Sequence, residues 1–137
     1  MQIIKTVAVF IALQIATVQA DIVIVVNPAN ANAVSADDLN RLFLGRASSF
    51  SDGSKATPLN LAEGSSNRDE FDGKVLSRSA SQLKAYWSKL VFTGKGTPPK
   101  ELSDDAAMKA AVAADSSAIG YINSANVDDS VKVVATI

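Results

Sequence analysis

Hydrophobic residues occur along this chain in short blocks, and the period of each block predicts an element. Asp21 is followed by Ile22-Val23-Ile24-Val25-Val26, five β-branched residues without a polar break. Such a run reads as a strand buried on both faces, as a parallel or mixed sheet flanked by helices requires. Asn27-Pro28 ends it. Ser35 then caps a helix over 36–44, with Asp37 and Asp38 in its first turn, Leu39, Leu42 and Phe43 on its apolar face and Gly45 at C′. A polar loop with a turn at Ser51-Asp52-Gly53 leads to 58–62, whose alternation suits a second strand. A Ser-rich stretch opens a helix from Asn67 to about Leu76. Ser79 or Ser81 begins another, Gln82 to about Phe92, with Leu83, Tyr86, Trp87, Leu90 and Val91 at spacings of three and four. Gly94, Gly96, Pro98 and Pro99 break the chain. Ser103-Asp104-Asp105 caps an alanine-rich helix to about Ala114, and strands follow at 118–122 and 131–137. The order β-α-β-α-α-α-β-β describes an α/β domain with a small central sheet.

The first twenty residues follow a different pattern. Lys5 is the only charge before Asp21, an apolar stretch follows it, and Val18-Gln19-Ala20 closes the segment with a small residue at the end. A basic start, a short apolar centre and an A-x-A-like end make up a secretory signal peptide at 1–20, with one domain at 21–137. The apolar run falls short of the roughly 20 residues that span a bilayer, so no membrane span is expected after cleavage.

Charge and composition narrow the chemistry. The chain has 13 basic and 14 acidic residues. It displays neither a basic run nor a basic face, which argues against nucleic acid. It has no Cys and no His. Thiol chemistry, disulfides, a Ser-His-Asp triad and a His-ligated zinc site are therefore excluded. The expectation is a protein that is not an enzyme and needs no metal or cofactor.

One segment stands out as a candidate site: Glu63-Gly64-Ser65-Ser66-Asn67-Arg68, between a strand and a helix. Gly64 permits a tight turn or a close approach to a ligand. The first N–H groups of a helix lack intrahelical partners and, with the dipole, favour an anion. Ser and Asn add neutral donors, and Arg68 a charged one. The same residues also suit a plain helix cap. Around Gly94-Lys95-Gly96, Lys89, Lys95 and Lys100 look like a phosphate loop only superficially. The Gly-Lys-Ser/Thr ending and a preceding strand are both missing. Tyr86-Trp87 read as core, Asp104-Asp105 as helix-start charges, and Asp128-Asp129 as a turn before the last strand.

Three stretches in order carry a family resemblance. They are Leu42-Phe43-Leu44-Gly45-Arg46 with Phe50-Ser51-Asp52-Gly53, then 63–71, then 111–121 ending in Ala118-Ile119-Gly120-Tyr121. Together they resemble the phosphate-binding members of the periplasmic substrate-binding proteins that serve ABC transporters. The resemblance implies a type II periplasmic-binding-protein-like fold, of which the chain has room for one lobe. It implies a phosphate or similar oxyanion ligand at Glu63, Gly64, Ser65, Ser66, Asn67 and Arg68, a periplasmic location, and an ABC transporter as partner. Gly64 matches the turn glycine, Ser65 the serine ligand, and Glu63 an acidic residue that accepts the phosphate proton. Ser66 and Asn67 replace the usual glycine and threonine, and Leu61 stands where phosphate-specific members often carry arginine. A homodimer or partner protein would have to complete the half-site. The alternative is a periplasmic interaction or adaptor module that has lost high-affinity binding.

Overall fold

The structure, a computed structural model, describes residues 21–137. The signal peptide expected at 1–20 lies outside them. Five strands form one mixed sheet: β1 (Ile22–Val26), β2 (Thr57–Leu61), β3 (Lys100–Leu102), β4 (Ala118–Asn123) and β5 (Lys132–Thr136), in the order β3-β2-β4-β1-β5. β2 runs parallel to both β3 and β4, whereas β1 is antiparallel to β4 and β5. Four α-helices accompany them: α1 (Ala36–Phe43), α2 (Ser66–Phe71), α3 (Ala80–Phe92) and α4 (Asp105–Ala114). No described helix is long and apolar enough to cross a membrane.

All five β1 residues are buried, as their unbroken apolar run predicts. Alternation along β4 explains why. Side chains on a strand alternate between faces. On one face Tyr121 stacks on Phe71 of α2, centroids 4.1 Å apart, and Phe43 of α1 packs edge-on against Phe71 at 4.7 Å. On the other face Met108 of α4 lies so close over Gly120 that a Cβ there has no room. Tyr121 and Gly120 sit beside Ile24 and Val25, so β1 is covered from both sides.

The caps follow the sequence closely. Ser35 and Ser79 form capping boxes with Asp38 and Gln82. Gly45 adopts φ +72° and closes α1 with Gly45 N–H to Leu42 and Arg46 N–H to Arg41 carbonyl bonds. Trp87 packs over Gly45, and the Tyr86 hydroxyl donates to the Leu44 carbonyl at 2.6 Å, which ties α3 to the end of α1.

Three expectations need correction. The predicted helix to about Leu76 is α-helical only to Phe71 and continues as a π-helical turn, Asp72–Leu76, with Gly73 inside it. β3 is absent from the sequence reading. Val91, placed on the apolar face of α3, is 53% exposed, and Phe92 is 91% exposed. The packing surface under α3 ends at Trp87, and its last turn projects beyond it.

Candidate functional site

β2 ends at Leu61, and the chain reverses through Ala62-Glu63-Gly64-Ser65. The Ser65 N–H donates to the Ala62 carbonyl at 3.1 Å, with Gly64 at φ +91°. A Cβ at Gly64 would meet nothing within 4 Å, so glycine is required by backbone conformation and not by space. Ser65 is the N-cap of α2, and its hydroxyl accepts from the Arg68 N–H at 3.4 Å. The Ser66 and Asn67 amides follow it in the first turn and have no partner among the described residues.

A second helix starts beside the first. α4 follows β3 as α2 follows β2, and these two strands are parallel neighbours. Both helix N-termini therefore lie at the carboxyl ends of adjacent strands, where open α/β sheets bind ligands. Between them opens a cavity of about 570 Å³. Ser65, Ser66, Asn67, Asp105, Lys109 and Asn126 are among the residues that line it.

Asp105 organises the cavity. Its carboxylate accepts from the Asn67 side-chain amide at 3.2 and 3.3 Å, from the Asn123 N–H at 3.0 Å and from the Asn126 amide at 2.8 Å. Asp104 caps α4 by accepting from the Ala107 N–H at 2.8 Å. Lys109 is the one cation in the lining, and its Nζ lies 2.9 Å from Asp128. Hydrogen bonds from Ser130 and Lys109 hold the Asp128 carboxyl down at about 2.

The six predicted site residues divide. Ser65, Ser66 and Asn67 line this cavity, and Gly64 makes the turn. Glu63 and Arg68 line a different groove, beside α3. The Arg68 guanidinium turns back along its helix. Its Nη1 donates to the Leu61 carbonyl at 3.1 Å and to Glu101 at 2.6 Å, and its Nε lies 3.6 Å from Asp72. Arg68 thus ties α2 to β2 and β3 and does not reach the cavity. Leu61, at the position of the expected arginine, is buried. Asp105, Lys109 and Asn126 belong to the cavity but carry no motif. Only the pairing of β3 beside β2 brings them to Asn67.

The fold is that of one lobe of a phosphate-type substrate-binding protein. Solved structures carry this likeness. An ABC-type phosphate transport receptor from Vibrio cholerae superposes with a TM-score of 0.66 at 20% identity, over 84% of this chain and 45% of that one. A protein from Clostridium perfringens, assigned as a phosphate ABC transporter substrate-binding protein and holding bound phosphate, gives 0.67 at 19%, over 84% and 44%. A protein from Planctomyces limnophilus assigned as phosphate-binding gives 0.61 at 17%, over 84% and 40%. This chain spans less than half the length of each. No protein-family model matches it, and no curated protein sequence does.

Proposed function

We propose that this domain is an extracytoplasmic, non-enzymatic binding module that holds phosphate or a similar oxyanion between the N-termini of α2 and α4. The observation that carries the reading is the pair of unpartnered first-turn amides of Ser66 and Asn67, opening into a cavity that Ser65 and Ser66 also line. Amides fixed in this way need no reorganisation to receive an anion. A fold shared with a phosphate-bound protein supports the choice of ligand. The signal-like segment at 1–20 supports delivery to the periplasm, and the fold supports service to an ABC transporter.

Two features set the strength of binding. Asp105 already occupies the Asn67 side-chain amide, and Asp104 and Asp105 place two carboxylates in the wall. Binding by one copy is therefore weak, in the millimolar range. The test is thermal unfolding against phosphate and sulfate up to tens of millimolar. A ligand at about ten times its Kd stabilises by about 1.4 kcal/mol, which raises Tm by about 4 °C for a domain of this size. Ser66→Pro removes one donor while leaving the helix intact, because proline fits the first helical position. The shift is expected in the parent protein and is expected to be lost in Ser66→Pro. No shift in the parent with either anion refutes the reading.

A specific observation also favours the interaction-module alternative: the exposed apolar end of α3, at Val91 and Phe92.

A further inference from the structure

The stretch between α2 and α3 is wound unlike the helices on either side of it. Asp72–Leu76 forms a π-helical turn, a rare winding that occurs mostly as single turns, often at functional sites. It closes at Ser77, the one non-glycine residue with positive φ among the described residues, at +53°, a conformation that costs an L-residue energy. The Ser77 and Arg78 N–H groups both donate to the Asp72 carbonyl. Gly73 lies inside the turn, and a Cβ there would meet nothing within 4 Å. Gly73, Lys74 and Ser77 are exposed. The turn is therefore lightly attached. Leu76 and the half-buried Val75 pack against the core, and Asn40 of α1 donates to the Val75 carbonyl at 3.3 Å.

Into this lightly held turn the sequence places a buried acid. Asp72 has no hydrogen-bond partner for either carboxylate oxygen among the described residues, and neither has the Arg68 Nε, 3.6 Å away. The groups around it are few. From α2, Arg68 attracts its charge and Asp69 repels it. From β4 comes the Tyr121 hydroxyl, which burial keeps protonated. From β3 comes Glu101, on the far side of Arg68. α1 faces the turn with the uncharged Asn40. On the turn itself Lys74 pairs with Glu70 and lies within reach of the Asp21 charge. An ionised Asp72 regains water either by unfolding of the whole domain or by release of these five residues alone, and the second route disturbs far less of the core.

From this arrangement we infer that Asp72–Leu76 is a pH-gated segment, which opens locally as Asp72 ionises and closes as Asp72 takes up a proton, while the sheet and α3 stay folded. Opening hydrates the carboxylate and the Arg68 Nε and gives up the contacts of Leu76 and part of those of Val75. Phe71 before the turn and Leu83 after it stay anchored in the core, so the opening is a local one. Arg68 keeps α2 in place meanwhile, because its Nη1 stays on the Leu61 carbonyl and on Glu101. The closed turn holds the carboxyl at about 6, and the opened one leaves it at the ordinary 3.8. The closed form is therefore favoured most below about pH 4 and loses ground as pH rises through about 6. The same two values make opening about tenfold more frequent at about pH 8 than at about pH 5.

Native-state amide hydrogen exchange of the full chain, at about pH 5 and about pH 8 and corrected for the intrinsic rate, tests this. The probes are the Ser77 and Arg78 amides, both bonded to the Asp72 carbonyl. The reference is β1, which lies between two strands and reports unfolding of the whole domain. Ser77 and Arg78 are expected to exchange at least about tenfold faster than the β1 amides, and so by local opening. Their protection is expected to fall about tenfold from the lower pH to the higher. Asp72→Asn is expected to abolish that fall. Gly73→Ala stiffens the turn without a clash and serves as the test should Asp72→Asn fold poorly. It is expected to raise the protection of Ser77 and Arg78 about two- to fivefold at both pH values and to retain the fall. The proposal is overturned if Ser77 and Arg78 exchange only at the β1 rate, if their protection does not fall in the parent, or if the fall survives Asp72→Asn. Protection left unchanged by Gly73→Ala overturns it equally.

Discussion

Asp72 offers the sharpest test of how this fold is held. Its carboxyl is 1% exposed, at the start of the π-helical turn, and neither oxygen accepts a hydrogen bond among the described residues. Burial pushes it up to about 6, against the opposing pull of Arg68, with Asp69 raising it further. Two effects compete: loss of hydration and attraction to a guanidinium 3.6 Å away. The upward direction says that lost hydration wins. Arg68 is shared with Glu101 and the Leu61 carbonyl, so Asp72 holds only part of its charge. The sign follows. A carboxyl with a folded value above its unfolded value of 3.8 contributes stability fully below about pH 4 and loses it as pH rises through about 6. A rise of about two units corresponds to about 3 kcal/mol. Asp72→Asn keeps the shape and removes the charge. At pH 7.5 it is expected to stabilise the protein by about 2 kcal/mol, the remainder being offset by the weaker Arg68 contact. At pH 4 the gain disappears. Urea unfolding followed by Trp87 emission measures this as a rise in midpoint of about 1–2 M at the higher pH. The exposed acids Asp38, Asp52, Asp115 and Asp128, all held below the ordinary range by local hydrogen bonds, lose stability as pH falls. They act equally in both proteins and cancel in the comparison. A difference that stays constant from pH 4 to 7.5, or a destabilised variant at pH 7.5, refutes the reasoning.

Three further outcomes test the packing and the cavity. Phe71→Ala removes a fully buried ring from the Phe43–Phe71–Tyr121 cluster and is expected to cost about 3–5 kcal/mol in chemical denaturation. Gly64→Ala is expected to cost about 1 kcal/mol from its positive φ alone, whereas Gly45→Ala costs more, because its Cβ also meets Trp87 at 2.9 Å; equal midpoints for the two would contradict this. Asp105→Ala strips the acceptor from the Asn67, Asn123 and Asn126 donors and is expected to cost about 2 kcal/mol, visible as a lower urea midpoint.

Much of this fold is legible because local chemistry and tertiary environment agree. The β1 run is buried on both faces, Ser35 and Ser79 cap the helices they precede, and Gly45 takes the left-handed turn it suits. What escapes the linear pattern depends on distant neighbours. Lys100-Glu101-Leu102 has two charges in three residues, and it is a strand only because β2 pairs with it. Without β3 the start of α4 has no address, so Asp105 and Asn126 cannot be placed beside Asn67. Arg68 fails for a different reason. Helical side chains lean toward the N-terminus, and that direction carries its guanidinium to the Leu61 carbonyl and Glu101 instead of the cavity. Glu63 precedes the turn that Gly64 makes, and so faces the α3 groove.

Energetics set what the proposed half-site can do. Capture at a Kd of about 1 μM requires about −8 kcal/mol, and at about 1 mM about −4. The α2 end offers about 0.3–1 kcal/mol from its dipole, and two amides with the Ser65 and Ser66 hydroxyls offer about 0.5–1.5 each. Association costs and the Asp104 and Asp105 carboxylates oppose them. On the proposed reading the half-site reaches the millimolar range, and micromolar capture would need about 4 kcal/mol more from a second surface closing over the cavity. The match covers 40–45% of each solved neighbour, and the source of such a surface is what the measurement has to decide. If a second copy supplies it, phosphate stabilisation grows with protein concentration, and Ser66→Pro abolishes both the stabilisation and its concentration dependence. Calorimetry at dilute and concentrated protein decides. Micromolar binding that is independent of protein concentration would show that one copy completes its own site, and the half-site argument would fall.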